Sequence, residues 1–258
     1  MVETVNISAG YGKREVLHGV DFYAGKGEIT TLIGTNGSGK STLLRVLPGF
    51  LPVLSGDVKI DGISLKTLSR DALARKIAYL PQGKNTPDIS AERMVLHGRF
   101  PYLHYPRKYG AADYRIAEEA MGQMGISEFA CRQMSELSGG MRQKVYIAMA
   151  LAQQAEIIVM DEPTTYLDIG QQLKFAQMLR RLSKDGKTII LVLHDILLAL
   201  KLSDRIAALR DGRILKCGTP EEIRQSDIME ELYGVTVKSL HTGEGIQYFY
   251  EIPDMAEA

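Results

Sequence analysis

Apolar positions follow two alternating periodicities along the chain. Short aliphatic and β-branched runs lie at residues 28–33, 78–80, 156–160 and 188–193, and the segments between them carry apolar residues at helical spacing. A strand that is apolar almost throughout is buried on both faces, as in a parallel sheet covered by helices. The pattern therefore predicts an α/β fold with a mainly parallel sheet.

The first part of the chain has a different pattern. Residues 2–7 and 16–23 alternate in part between apolar and polar positions, and residues 57–60 lead into an Asp-Gly turn. Such alternation is typical of antiparallel strands, so we expect an N-terminal antiparallel β subdomain. Tyr11 is expected in a loop between the first strands. Residues 52–56 break the preceding helical pattern, so the later strand is expected to begin at Asp57.

Residues 83–135 change character again and predict a helical subdomain inserted into a single domain, 1–258, that ends in a C-terminal extension over about 237–258. Helical patterns flank a loop that is rich in aromatic and basic side chains. The loop is interpreted as a solvated surface, a protein-docking site or a nucleic-acid contact, and its own sequence does not choose among these. The side chains in question are Arg99, Phe100, Tyr102, His104, Tyr105, Arg107, Lys108 and Tyr109.

Composition narrows the classes of function. The 258 residues suffice for one large α/β domain. Lys and Arg number 31, as do Asp and Glu, so no global basic field argues for nucleic-acid binding. Cys131 and Cys217 lack disulfide or metal spacing, which favours a reduced compartment. No stretch approaches the roughly 18 apolar residues of a spanning helix, so we expect any membrane role to come through a partner.

Residues 34–42, GTNGSGKST, fit the phosphate-binding pattern G-x-x-x-x-G-K-[ST] between a predicted strand and a predicted helix. The glycines let backbone N–H groups approach phosphates, Lys40 would reach the β- and γ-phosphates, and Ser41 would hold Mg²⁺. A glycine-rich turn that binds nothing is the alternative, and the Gly-Lys-Ser ending argues against it. The candidate nucleotide-binding residues are Gly34, Thr35, Asn36, Gly37, Ser38, Gly39, Lys40, Ser41 and Thr42.

Polar side chains stand directly after the predicted buried strands, and these are Gln82, Asp161, Glu162 and His194. Ligands gather at the carboxyl ends of parallel strands. Asp161 and Gln82 suit the ligand shell of Mg²⁺, and Glu162 suits a base that acts on water. The alternatives are a solvated amide at Gln82, a structural turn at the two carboxylates and a structural His194.

A second potential anion site lies at residues 137–143, LSGGMRQ. Ser138 is a plausible helix cap there, and the glycines after it expose backbone N–H groups at a helix start. A plain helix cap is the alternative. Tyr11 is either an ordinary loop aromatic or a ring stacked on a nucleotide base.

Together these segments resemble the ATP-binding subunits of ABC transporters, over residues 2–236. Short strings, YLPQ at 79–82, HGRFPY at 97–102 and EPTTYLD at 162–168, are most similar to importers of iron-siderophore, haem and cobalamin type. In family terms the matching positions are Tyr11 for adenine stacking, 34–42 as Walker A, Gln82 as the Q-loop, 137–143 as the signature, 157–162 as Walker B, Asp168 in the D-loop and His194 as the switch histidine.

The resemblance implies a P-loop NTPase core and a head-to-tail dimer, in which Walker A of one copy and the signature of the other close on one ATP. It assigns Mg²⁺ to Ser41, Gln82 and Asp161. The attacking water is assigned to Glu162 and the γ-phosphate contact to His194. From across the dimer the contributing residues would be Ser138, Gly139, Gly140, Gln143 and Asp168.

The resemblance also implies partners and a location. Membrane-spanning permease subunits would dock near residues 83–109, a substrate-binding protein would act indirectly, and no nucleic acid is expected. The chain would be peripheral at the cytoplasmic face of the cell membrane. Two positions depart from the family: Thr35 stands where proline is common, and Tyr166 where a small residue is common.

Two competing hypotheses remain beside an importer subunit. A soluble ABC-type ATPase in iron-sulfur assembly, translation or DNA repair would be favoured by tandem ATPase halves, a long coiled-coil insertion or a basic tail, and the sequence has none of these. A small-molecule kinase would share the phosphate loop but would have no use for LSGGMRQ.

Overall fold

The computed structural model describes residues 1–82, 86–165, 167–243 and 245–251. Outside the described residues lie residues 83–85 of the predicted docking segment, Tyr166 of the predicted D-loop, and Glu244 and residues 252–258 of the predicted C-terminal extension. The chain folds as two units. The first comprises Met1–Lys66 and the residues from Ile190 onward, and the second comprises Thr67–Ile189.

The strands are β1 Val2–Tyr11, β2 Arg14–Ala24, β3 Ile29–Ile33, β4 Val53–Ile60, β5 Ile63–Ser64, β6 Ile77–Leu80, β7 Ile157–Asp161, β8 Thr188–Val192, β9 Arg205–Arg210, β10 Arg213–Gly218, β11 Thr236–Thr242 and β12 Gly245–Glu251. The helices are α1 Lys40–Val46, α2 Arg70–Lys76, α3 Ala91–Leu96, α4 Ala111–Gln123, α5 Gly139–Ala152, α6 Ile169–Lys184, α7 Ile196–Leu202, α8 Pro220–Arg224 and α9 Ile228–Tyr233.

The first unit contains the predicted antiparallel strands. β1 pairs antiparallel with β2 on one side and with β4 on the other, and β5 extends the sheet at its edge. Val2, Ile7 and Ala9 are fully buried, whereas their polar neighbours face outward. The partial alternation seen in the sequence therefore corresponds to a sheet with one covered face.

The same unit also holds a second sheet. β3 pairs parallel with β9 and has β8 on its other side, and β9 turns through Asp211-Gly212 into antiparallel β10. Every residue of β3 is buried, as its apolar run predicts. Ser203 donates a hydrogen bond to Thr31 Oγ1 at 2.6 Å, and Asp204 Oδ2 accepts one from the Ile29 N–H at 2.8 Å. These bonds tie the start of β3 to the chain before β9.

Two expectations about the antiparallel sheet were wrong. Tyr11 is the last residue of β1 rather than a loop residue, because pairing continues to Tyr11 opposite Arg14. β4 begins at Val53 rather than Asp57. Gly56 has φ of +79°, and a Cβ there would lie 2.4 Å from the Asn6 carbonyl oxygen, so only glycine lets the strand continue past β1 at this bulge.

The second unit combines a parallel strand pair with helices. β6 and β7 pair parallel, with Leu80 opposite Met160. Helices α3, α4 and α5 pack together, and α5 is the most buried of them, with Val145, Ile147 and Ala148 in its covered face. The Gln153 amide donates to the Ile77 carbonyl at 2.8 Å, which fixes the end of α5 to the start of β6.

Part of the aromatic and basic loop is interior rather than solvated. Arg99 is only 6% exposed, and it lies in a 3-10 turn, His97–Tyr102. Its guanidinium donates to Asp113 Oδ1 at 3.0 Å and to the Ala152 carbonyl at 2.9 Å, and it stacks over the Tyr102 ring at 4.0 Å. The solvated interpretation is therefore wrong for Arg99, which joins the turn to α4 and the end of α5.

The predicted C-terminal extension begins with a hairpin. β11 and β12 pair antiparallel from Thr236 opposite Glu251 to Thr242 opposite Gly245, and β12 packs against α7, where Lys201 Nζ lies 3.3 Å from Gln247 Oε1. Within the described residues, no helix combines the length and apolar character that crossing a bilayer requires.

Arg99→Met is expected to lower the free energy of unfolding by about 2–4 kcal/mol, since it removes hydrogen bonds to buried acceptors and leaves Asp113 without its cation. Arg107→Met is the matched control, because Arg107 also stacks on an aromatic ring, Phe100 at 4.3 Å, but is exposed. Its cost is expected below about 1 kcal/mol. Urea unfolding of both variants checks this, and equal costs would contradict a structural role for Arg99.

Candidate functional site

The predicted phosphate loop connects the end of β3 to the start of α1. Its glycines Gly34, Gly37 and Gly39 have φ values of +147°, +81° and +106°. A Cβ on Gly34 would lie 2.1 Å from the Leu209 carbonyl oxygen, so the first loop residue passes directly against the end of β9 and must be glycine. The loop therefore has the backbone that the sequence pattern requires.

Lys40 is the first residue of α1 and is only 6% exposed. Its ammonium group donates to the carbonyl oxygens of Gly34 and Thr35, each at 2.8 Å, so the side chain folds back along the loop. Ser38 Oγ is buried and has no hydrogen-bond partner within the described residues. A buried positive charge, an unsatisfied hydroxyl and a helix start fit an anion such as a nucleotide phosphate.

The remaining loop residues divide by exposure. Thr35, Asn36 and Gly37 are exposed at the tip, Ser41 is half-buried, and Thr42 is buried in α1. The tip is thus open to a ligand while the start of the helix is anchored in the core.

Tyr11 is held beside the helix that follows the loop. Arg45 on α1 donates to the Tyr11 hydroxyl at 3.1 Å, while 45% of Tyr11 stays exposed. The structure therefore brings Tyr11 and the helix of the phosphate loop together in the first unit. An exposed aromatic face in this place suits stacking on a base.

One contact of the loop was missed at the level of sequence. The Gly34 N–H donates to the Tyr233 hydroxyl at 2.6 Å, across a separation of 199 residues. No local pattern could have found it, because Tyr233 lies outside every recognised motif.

In the second unit, Gln82 and Glu162 come together. Leu80 of β6 is paired with Met160 of β7, and Gln82 and Glu162 each lie two residues after these positions. The Gln82 side-chain amide donates a hydrogen bond to Glu162 Oε2. Glu162 has φ of +50°, which is unfavourable for a residue with a Cβ, and the Thr165 hydroxyl donates to its carbonyl oxygen at 3.1 Å. The carboxylate is therefore held in place by its backbone and by a neighbour.

Asp161 is the last residue of β7 and is only 3% exposed. Among the described residues, no group of three or more His, Cys, Asp or Glu side chains could hold a metal ion. A divalent ion held by one carboxylate, neutral oxygens and phosphates needs no such group, and this donor set suits Mg²⁺.

The signature residues open α5 as predicted. Ser138 is the N-cap and accepts a hydrogen bond from the Met141 N–H at 3.3 Å, with Gly139 and Gly140 partly exposed in the first turn. Gln143 lies one turn into the helix and is also partly exposed.

The structure brings Asp168 next to this helix start through Gln171. Asp168 caps α6 and accepts hydrogen bonds from the backbone and side-chain N–H groups of Gln171, both at 2.8 Å. The amide oxygen of Gln171, Oε1, lies against Gly140, and a Cβ added to Gly140 would be 2.6 Å from this oxygen. Gln171 was missed in the sequence, although its position three residues after a capping Asp is the spacing of a capping pair.

His194 lies two residues after the end of β8 and is exposed, and Asp195 caps the next helix, α7, by accepting from the Leu198 N–H at 3.0 Å. Its strand-end position agrees with the prediction. Its role stays a prediction.

Comparison with known proteins identifies the family. The profile of the family described as "ABC transporter" matches residues 17–165. A petrobactin import ATP-binding protein of Bacillus anthracis is 37% identical over 90% of this chain and 86% of its own. The iron(3+)-hydroxamate import ATP-binding protein of Bacillus subtilis is 38% identical over 91% and 88%. The ferric enterobactin transport ATP-binding protein of Escherichia coli is 37% identical over 89% and 85%.

Solved structures agree with the sequence relatives. A dimeric bacterial ABC transporter cassette, 31% identical, superposes with a TM-score of 0.76 over 85% of this chain and 99% of that one. An ATP-binding cassette in its ADP conformation, 26% identical, gives 0.77 over 90% and 94%. The fold and site thus define a P-loop ATPase. The chain belongs to the ABC transporter family, as the motifs predicted, and it is one of the family's ATP-binding proteins.

Gly34→Ala is expected to lower the free energy of unfolding by about 1–3 kcal/mol and to weaken ATP binding, because the loop must move away from Leu209. Gly62→Ala is the control, since Gly62 also has positive φ, +78°, but nothing lies within 4 Å of its Cβ position. It should cost about 1 kcal/mol and leave ATP affinity unchanged. Urea unfolding and calorimetric titration with ATP measure both, and normal affinity in Gly34→Ala would contradict the tight approach.

Proposed function

We propose that this chain is the ATP-hydrolysing subunit of an importer for an iron-siderophore, haem or cobalamin type of substrate, and that it works with membrane-spanning permease subunits at the cytoplasmic face of the cell membrane. The observation that carries the ATPase part is the contact of Gln82 with Glu162, directly after Asp161 at the ends of paired parallel strands. This is where a water-directing carboxylate belongs in a parallel-sheet enzyme.

In this proposal the phosphate loop, residues 34–42, binds ATP through its backbone N–H groups and Lys40. The buried ammonium of Lys40 supports this role, since it runs along the loop rather than into solvent. Tyr11 stacks on the base. Ser41, Gln82 and Asp161 would hold Mg²⁺, which would offset the negative charge of the phosphates.

Glu162 orients and deprotonates the attacking water, and His194 contacts the γ-phosphate. Phosphoryl transfer is mostly a matter of positioning and of charge stabilisation, so a carboxylate that is already fixed in place is suited to the task. The strained backbone of Glu162 and the amide of Gln82 supply that fixation. Strain at a single residue is typical of active sites.

The signature residues are proposed to complete the site of a second copy. Ser138, Gly139, Gly140, Gln143 and Asp168 would approach the nucleotide from across a head-to-tail dimer, and two copies would form two sites. The dimeric state of the related bacterial cassette supports this arrangement. The link between Asp168 and the start of α5 supports it further, since these residues would then act as one surface.

The class of substrate is proposed from the relatives, whose names state import of petrobactin, import of iron(3+)-hydroxamate and transport of ferric enterobactin. Those relatives align with about nine tenths of this chain at 37–38% identity. The substrate itself would be selected by the permease and by a substrate-binding protein, so this chain would supply only the coupling of hydrolysis to transport.

We also propose a division of labour along the chain: one ABC ATPase domain, 1–258, with residues 83–135 as an inserted helical subdomain and 237–258 as an extension. The permease would dock near residues 83–109. The exposed aromatics Phe100 and Tyr105, at 46% and 98% exposure, and the exposed Arg107 support a protein contact there.

Glu162→Gln is expected to keep ATP binding and to reduce turnover by roughly 10²- to 10⁴-fold, the usual contribution of a general base. The substitution keeps an acceptor oxygen for Gln82, so folding should be little affected. Lys40→Ala is the contrasting variant, which should lose ATP affinity itself. Equilibrium titration with ATP and phosphate release under saturating MgATP measure both effects. Undiminished hydrolysis in Glu162→Gln would remove this carboxylate from its proposed role.

Co-purification tests the transport role. The tagged chain, recovered from gently solubilised membranes of its own cell, is expected to co-purify with a polytopic membrane protein. The complex should contain two copies of the tagged chain and two copies of that membrane protein. Tyr105→Ala combined with Arg107→Ala should weaken this recovery without changing ATP affinity. Recovery of ribosomes, nucleic acid or soluble assembly factors instead would support a soluble ATPase and would overturn the importer assignment.

A further inference from the structure

The phosphate loop is tied at its first residue to a side chain from the end of the chain. The Gly34 N–H donates to the Tyr233 hydroxyl at 2.6 Å. Gly34 is buried, and a buried backbone donor needs a hydrogen-bond partner. The hydroxyl therefore fixes the direction in which the chain leaves β3 and enters the loop.

Tyr233 is itself held firmly. It ends helix α9, whose Ile228, Met229 and Leu232 are buried, and Gly234 closes the helix in the left-handed conformation with its N–H on the Glu230 carbonyl. Glu231 on the same helix forms an ion pair with Arg210 at 3.0 Å.

Arg210 directly follows Leu209, whose carbonyl lies against Gly34. Helix α9 and the end of β9 thus enclose the first loop residue from two sides.

The hydroxyl is suited to a place beside phosphates. The phenol of Tyr233 is neutral at physiological pH, as an ordinary tyrosine is, and burial raises its pKa further, to about 12. A neutral oxygen can accept the Gly34 N–H without placing a negative charge near an anion site. A carboxylate in the same position would bind the N–H more strongly and would repel the phosphates.

The segment after Tyr233 continues to a second part of the first unit. β11 begins two residues after Gly234, and its partner β12 packs against α7, the helix that starts directly after His194 and Asp195. Lys201 and Gln247 are in contact at 3.3 Å. Burial raises the pKa of the Tyr250 phenol on β12, and the nearby Asp195 carboxylate raises it further.

We propose that Tyr233 is a positioning residue for nucleotide binding, and that α9 braces the phosphate loop through it. The proposal rests on the proposed function in one respect, that residues 34–42 bind the phosphates of ATP. Tyr233 acts through Gly34 and does not touch the nucleotide. Its hydroxyl keeps the loop in the binding conformation before ATP arrives, so that less ordering is required on binding.

Tyr233→Phe is the direct test, because it removes the hydroxyl and keeps the ring. The loss of one hydrogen bond to a buried N–H should raise the Kd and the KM for ATP about threefold to tenfold and leave kcat within about twofold. Tyr248→Phe is the matched control, since it removes a hydroxyl from the same C-terminal segment at a half-buried position. Its Kd and KM should equal those of the wild type.

The measurements use the full chain with MgATP, by calorimetry and by phosphate release. If the wild type binds ATP and Tyr233→Phe binds it with the same Kd, the proposed role of Tyr233 is overturned. If the wild type itself does not bind ATP, the proposed function is overturned. A fall in kcat at constant KM would also contradict positioning for binding.

Amide exchange gives a second measurement, and its result for the wild-type chain can be interpreted without the variant. In the wild-type chain without nucleotide, NMR should find the Gly34 N–H protected from exchange, because Tyr233 holds it. In Tyr233→Phe the same N–H should exchange at least about tenfold faster. An unprotected Gly34 N–H in the wild type would overturn the proposal even if Tyr233→Phe failed to fold.

Discussion

The close approach of Gly34 to the Leu209 carbonyl is the constraint on which the nucleotide site depends. It fixes where the chain leaves β3, and the rest of the loop follows from that point into α1. Three separate groups act on this one residue: Leu209 restricts its Cα, Lys40 binds its carbonyl oxygen, and Tyr233 binds its N–H. The first residue of a glycine-rich loop is thereby held through its Cα, its carbonyl and its N–H.

In the second unit the Glu162 carboxylate is also restricted. It is held by a hydrogen bond from the Gln82 side chain and by a strained backbone at Glu162 itself. Glu162 adopts positive φ although it has a Cβ, and this conformation costs about 1–2 kcal/mol. The Gln82 amide and the Thr165 hydroxyl offset part of that cost. In each unit a chemically active group is therefore fixed by specific hydrogen bonds and by its backbone conformation.

The sequence predicted what depends on neighbouring residues and missed what depends on distant ones. The phosphate loop, the Ser138 cap and the strand-end positions of Gln82 and Asp161 follow from local spacing, because each is decided within about ten residues. Tyr233 and the continuation of β4 past Gly56 depend on partners far along the chain. Arg99 was expected on a loop surface, because its charge is typical of exposed positions. Its interior place depends on acceptors at Asp113 and Ala152.

The burial of Arg99 shows that the aromatic and basic segment has both structural residues and exposed residues. Arg99 is buried in the second unit, and the partly exposed Tyr102 is held against it by ring stacking and by a hydrogen bond from its hydroxyl to the Gln153 carbonyl. His104, Tyr105, Arg107 and Lys108 are exposed, and Arg107 covers one face of Phe100. A turn that is already held in place and carries exposed aromatic and basic groups would suit docking of a protein, because little conformational entropy would be lost on binding. Selectivity for a permease would then reside in these outward residues, and the buried arginine would keep them in position.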